Sequence, residues 1–213
     1  LAEVRPFYVF SKNDAHLESW INEMGKRGFS FGTTSTPALS TKAQSGLNCI
    51  RDSGFDFEYL MHLDSDEFLS LELMIMWKKK MESGVPWFGP KDQLFYLPDT
   101  DKFYLFTGYD RHPLVNGGTC LSRQVIEDMG WVLWTKGLSK GLNRNEYLHL
   151  INSGWQVESQ LCGFRGSLEI KDETQQQIHP LSWYKDEGYE LIEMGLGQEI
   201  TQIETAHPYL KRF

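Results

Sequence analysis

Hydrophobic and polar positions along the chain change period several times, and each change predicts an element. Residues 4–10, Val-Arg-Pro-Phe-Tyr-Val-Phe, read as a first buried strand, and the polar Ser-Lys-Asn-Asp at 11–14 as the loop after it. Leu17, Trp20, Ile21 and Met24 then recur at helical spacing and predict a helix over 15–28, with Asn13 or Asp14 as its cap. A short second strand over 29–32 and a Ser/Thr-rich loop lead to a second helix over 41–53, closed by Gly54. Residues 57–63 predict a third strand. This β-α-β-α-β order predicts an α/β fold with one open, mostly parallel central sheet flanked by helices, in a single domain. Ligands of such sheets bind outside the carboxyl ends of the strands, at 11–14 and 64–66 in this chain.

Further along, 69–81 reads as a helix whose basic end, Lys78-Lys79-Lys80, is a solvated helix terminus. Aromatic runs broken by Pro and Gly over 85–108 predict strands and turns. Residues 115–122 predict a turn into a strand, followed by a helix over 123–129 and another over 143–152 ending at Gly154. The polar stretch 171–177 predicts a mobile loop. No repeat or linker interrupts the chain, so it reads as one domain, with halves of about 1–108 and 109–213.

The third strand carries the chemistry. Tyr59-Leu60-Met61-His62-Leu63 runs straight into Asp64-Ser65-Asp66-Glu67. Two carboxylates at the end of a buried strand repel each other and lose hydration unless a cation lies between them. Hard oxygen ligands suit Mg²⁺ or Mn²⁺, which are usually held together with substrate phosphates. The bare motif decides little: twelve Asp in 213 residues give about 0.7 Asp-x-Asp pairs by chance. Context separates the two pairs present. Asp99-Thr-Asp101 follows Pro98 in a polar stretch and reads as a surface turn, whereas Asp64 and Asp66 follow a helix and a strand.

Net charge of −8 argues against a general nucleic-acid binder. Aromatics at 14%, with seven Trp and nine Tyr, serve the core and can stack on sugars or bases. Cys49, Cys120 and Cys162 are scattered in apolar or small-residue surroundings and read as buried thiols of a reducing, cytoplasmic compartment. No apolar run is long enough to span a membrane, and no signal peptide opens the chain.

These residues together resemble the nucleotide-sugar glycosyltransferases of the GT-A, Rossmann-like fold. The resemblance rests on the first strand and its polar loop, on Asn-Cys-Ile-Arg-Asp-Ser-Gly at 48–54, on His62-Leu63-Asp64-Ser65-Asp66-Glu67-Phe68, and on Asn116-Gly117-Gly118 followed by an apolar residue and Ser. The small size is also similar to that of an amino-terminal glycosyltransferase domain of large algal viruses, which would put the protein in the host cytoplasm. The family implies a metal ion, Mn²⁺ or Mg²⁺, bridging Asp-x-Asp and the donor diphosphate, a UDP-sugar donor and a glycan or other hydroxyl acceptor. It implies metal ligation by Asp64 and Asp66, with Asp64 alternatively accepting from the ribose. His207 is the third metal ligand that the resemblance suggests, carried on a tail with Lys211 and Arg212 that would cover the site. Donor contacts fall on Phe10, Ser11, Asn13 and Ser65, and on Lys42 and Arg51, whose other reading is as solvated helix charges; Asn116, Gly117 and Gly118 match the acceptor-side loop.

The chain departs from the family in two places. No aspartate that would read uracil stands near 29–34, and Asn143-Arg144-Asn145-Glu146 occupies the place of a Glu-Asp pair. An inverting enzyme needs a carboxylate base, for which Glu146 and then Asp110 are the candidates; a retaining one does not. The competing classes are a metal-dependent phosphatase or nucleotidyltransferase and a non-enzymatic sugar-binding module. Phe68 stands where the phosphatase motif wants Thr or Val, Phe10-Ser11-Lys12-Asn13 lacks the pyrophosphorylase glycines, and a sugar-binding module needs no dicarboxylate.

Overall fold

Along the chain the elements run β1 (Phe7–Ser11), α1 (Leu17–Lys26), β2 (Ser30–Thr34), α2 (Leu39–Asp52) and β3 (Tyr59–His62). Next come β4 (Glu67–Leu69), α3 (Leu71–Glu82), β5 (Trp87–Pro90), β6 (Gln93–Leu97) and β7 (Lys102–Phe106). β8 (Thr119–Ser122), α4 (Arg123–Asp128), α5 (Leu142–Asn152) and β9 (Glu158–Gln160) follow. A 3₁₀ turn at Gly163–Arg165, β10 (Ser167–Ile170), α6 (Leu181–Asp186), β11 (Leu191–Glu193) and α7 (Gln198–Ala206) complete the order. This computed structural model describes residues 4–12, 15–35, 38–109, 112–115, 117–138, 141–171, 180–194 and 198–208.

Two compact units form, each from two chain segments: Leu1–Glu58 with Arg123–Trp155, and Tyr59–Ser122 with Gln156–Phe213. They interleave along the sequence.

In the first unit, β1 and β2 pair in parallel, Phe7 opposite Ser30 through Ser11 opposite Thr34. Side chains alternate across a strand, so Phe7 and Val9 share a face, and α2 lies on it through two small contacts. A Cβ on Gly46 would fall inside the Val9 side chain, and one on Gly32 would sit 2.9 Å from Cys49 Sγ. Glycine at 46 therefore sets how closely helix and sheet approach. Leu47, Ile50, Val125, Ile126, Leu133, Trp134 and Leu150 are buried. Gln44 Nε2 donates to the Trp131 carbonyl at 2.6 Å, and the Leu133 N–H donates to Gln44 Oε1 at 3.1 Å, tying the loop after α4 to α2.

In the second unit, one sheet runs β11-β7-β6-β10-β4 and another β3-β8-β5-β9. β6 is almost wholly buried because both its faces are covered. On one face Leu94, Phe103 and Leu168 pack with Ile203 of α7; on the other Phe95, Tyr104 and Phe106 pack with Leu181 and Tyr184 of α6. Ser70 caps α3, its Oγ accepting from the Leu73 N–H at 3.0 Å, and Leu73 and Trp77, four residues apart, are fully buried.

The expected elements form close to their predicted places, but the single open, mostly parallel sheet does not. Five of the strand pairs among the described residues are antiparallel and three parallel. β3 pairs antiparallel with β8, Tyr59 opposite Ser122, instead of extending the β1–β2 pair. An apolar run marks a buried strand but carries no direction, so its polarity rests on partners distant in sequence. The coarser class, mixed α/β, holds. Asp99-Thr100-Asp101 is the exposed β6–β7 turn, with Asp101 at φ 51°. Of the expected loop at 171–177, only Lys171 is described, and it is buried.

Candidate functional site

Asp64 and Asp66 lie on the turn between β3 and β4. Asp64 is exposed, with His62 Nε2 3.8 Å from its Oδ1, and Asp66 is half-buried. The next residue is Glu67. It is buried, accepting from the Asp64 N–H on Oε2 at 2.7 Å and from Gln93 Nε2 on Oε1 at 3.0 Å. On the adjacent strand Glu169 stands opposite Glu67. Glu169 pairs with Lys171 Nζ, which lies 4.7 Å from the centre of the Phe95 ring and 5.0 Å from that of Tyr184.

Four carboxylates thus share one region of the second unit. Burial holds Glu67 well above the ordinary carboxylate range, and the charges of Asp64 and Glu169 add to it. Burial likewise lifts Glu169 to about 7, opposed by Lys171 and reinforced by Asp66 and Asp64. Asp66 is raised by burial and by Asp64, with its own backbone hydrogen bond and Lys171 acting the other way. Burial pushes Tyr109 up to about 12 and raises Tyr184 as well. Burial thus tends to keep protons on these carboxyls, and Lys171 acts against it at Glu169 and Asp66. Among the described residues no three His, Cys, Asp or Glu side chains are grouped to hold a metal on their own.

Of the two described glycines of this loop, Gly117 lies against Glu67 and Gly118 against Leu69, Leu73 and Trp77. Gly118 donates its N–H to the His62 carbonyl at 3.3 Å, and its own carbonyl accepts from Trp77 Nε1 at 2.7 Å. A Cβ at Gly117 would stand 2.9 Å from Gln93 Nε2 and 3.0 Å from both Glu67 Oε1 and Ser167 Cβ. His207 is fully buried at the end of α7, Nε2 donating to the Phe164 carbonyl at 3.0 Å, and burial lowers its pKa. That bond ties α7 to the 3₁₀ turn.

The remaining candidates belong to the first unit. Phe10 is half-buried at the end of β1, 6.2 Å from Tyr8 and 6.4 Å from Phe31 between ring centres, and Ser11 ends the strand. Lys42 lies in the first turn of α2. Arg51, in its last turn, is exposed and donates from Nε to Asp52 at 2.8 Å, as a solvated helix charge does. Glu146 is buried on α5, not an exposed helix carboxylate. Asn13, Asp110, Asn116, Lys211 and Arg212 lie outside the described residues.

Sequence reasoning missed Gln93, Glu169 and Lys171 as neighbours of the motif. The signal was Ser167-Leu168-Glu169-Ile170-Lys171, whose alternation puts three polar groups on one face of a strand with apolar residues on the other. Cys120 and Cys162 are buried, and burial pushes Cys162 up to about 12; Cys49 is half-buried.

No helix among the described residues is long and apolar enough to cross a membrane. No family model matches the chain, and no curated protein matches it. Among solved structures, A197 from STIV is similar at TM-score 0.44 and 11% identity, over 83% of this chain and 99% of its own.

Proposed function

We propose that this chain is a metal-dependent glycosyltransferase that takes its sugar from a nucleotide-sugar donor, a UDP-sugar, and passes it to a hydroxyl acceptor. The observation that carries this reading is the strand-end pair Asp64 and Asp66. It is accessible to solvent at Asp64, and Glu67 and Glu169 lie near enough to feel its charge. Two carboxylates fit Mn²⁺ or Mg²⁺ when diphosphate oxygens and waters complete the sphere. Asp64 and Asp66 would hold that metal, which when bound stabilises the negative charge developing on the departing diphosphate.

The chain's own contribution is to orient the donor and to keep the two carboxylates ionised. Asp66 resists ionisation through burial, and Lys171 works against that penalty. The acceptor base is left unassigned: Glu146 is buried on α5, and Asp110 lies outside the described residues.

Calorimetry with UDP, with and without Mn²⁺, tests the reading. UDP binding is expected to require the metal and to vanish in Asp66→Ala. Unchanged UDP affinity in EDTA, or in Asp66→Ala, overturns it.

A further inference from the structure

We propose that Glu67 is a positioning residue, whose buried carboxylate holds the backbone of the Asp64–Glu67 turn in one shape and so presents Asp64 and Asp66 ready for a cation–diphosphate ligand. The metal half of this rests on the function proposed above; the turn half does not.

The turn is fastened at both ends by the same residue. The Glu67 N–H donates to the Asp64 carbonyl at 3.2 Å, and the Asp64 N–H donates back to Glu67 Oε2 at 2.7 Å. This reciprocal closure resembles a helix capping box, here placed around Ser65 and Asp66. The other oxygen of Glu67 is fixed to the five-stranded sheet through Gln93 Nε2 on β6 at 3.0 Å. A third tie comes from β10, where the Ile170 N–H donates to the Asp66 carbonyl at 2.9 Å. Gly117 lies over the Glu67–Gln93 bond so closely that a methyl group there would press on both partners.

Stability alone does not explain a carboxylate at this place. Glu67 is 7% exposed, faces Glu169 across the strands and lies beside Asp64, so burial and two like charges oppose its charge while the hydrogen bonds from Asp64 and Gln93 favour it. An apolar side chain of similar volume would fill the space at lower cost. Polar groups kept against stability mark a site whose geometry is being held for another purpose. Asp64 offers one backbone donor toward the sheet, and a doubly accepting side chain anchored elsewhere is what fixes it.

Glu67→Ala, Glu67→Gln and Gly117→Ala test this in the full chain. Two readouts are used: NMR-detected exchange of the Asp64 amide in EDTA, and calorimetric UDP binding in Mn²⁺. Glu67→Ala is expected to speed Asp64 exchange and to weaken Mn²⁺-dependent UDP binding by on the order of tenfold, as loss of a group behind a metal ligand does. Glu67→Gln keeps an oxygen that can accept from Asp64, and its NH2 can donate to Gln93 Oε1 once that amide turns over, so it is expected to recover most of both. Gly117→Ala leaves Glu67 in place but crowds its bond to Gln93, and is expected to reproduce the Glu67→Ala defect in part. Wild-type exchange and binding in Glu67→Ala overturn the proposal, as does a Glu67→Gln protein no better than Glu67→Ala. Should Glu67→Ala fail to fold, Glu67→Gln and Gly117→Ala decide it: loss of Asp64 protection in Gly117→Ala with retention in Glu67→Gln supports the proposal, and unchanged protection in Gly117→Ala overturns it. Should the wild-type protein bind no Mn²⁺–UDP, the proposed function falls, and Asp64 exchange alone then decides the positioning role.

Discussion

Stability is expected to fall as pH rises from about 4.5 through about 7, the reverse of ordinary acid denaturation. Glu169 is a carboxyl whose usual value, 4.5, is lifted to about 7 in the folded protein, chiefly by burial. Between those values the folded state holds a proton that the unfolded chain has released, so raising the pH favours unfolding. The contribution is fully present below 4.5 and is lost as pH passes through about 7. At about 1.4 kcal/mol for each tenfold change, that separation amounts to on the order of 3 kcal/mol. This is a sizeable share of the roughly 5–15 kcal/mol that holds a domain together. Asp66 and Glu67, raised by the same burial, act in the same direction. His207 opposes them: its depressed folded value adds stability as pH rises toward 6.5. Urea unfolding in EDTA at several pH values from 5 to 8.5, for wild type and Glu169→Gln, separates these terms. The variant carries no ionisable group at 169, so its stability should vary less with pH, by up to roughly 3 kcal/mol over the window. Parallel pH profiles for the two proteins would refute the reasoning.

Two further substitutions probe the frame around the site. His207→Ala leaves the Phe164 carbonyl without its 3.0 Å donor inside the protein and should lower the unfolding free energy by about 1–3 kcal/mol; an unchanged urea midpoint would show that the bond contributes nothing. Gly46→Ala gains about 1 kcal/mol of helix propensity but overpacks Val9 at a cost of about 1–3 kcal/mol, so net destabilisation is expected, relieved by Val9→Ala in the same chain. A more stable Gly46→Ala protein would mean that the helix and sheet can separate freely.

Local signals carried much of this protein. The helical spacing of Leu17, Trp20, Ile21 and Met24 predicts α1, and Gly54 and Gly154, both at positive φ, mark the ends of α2 and α5. These features act over a few residues, through side-chain periodicity and the one residue type that tolerates a left-handed backbone. The strand-end pair Asp64 and Asp66 is legible in the same way, because a switch from apolar to acidic is visible without any partner.

What depended on distant partners was decided only by the tertiary structure. β3 reads as a buried strand in either direction, and its antiparallel pairing with β8 comes from residues about sixty positions away. Glu67 looks like an ordinary acidic neighbour until Gln93 reaches it from β6 and Glu169 lines up beside it from β10. Burial is a property of the assembled sheets, and it is burial that raises these carboxyls and turns Lys171 inward. Residue order specified which groups the chain possesses; the long-range pairing of strands determined which of them lie together and what that proximity costs.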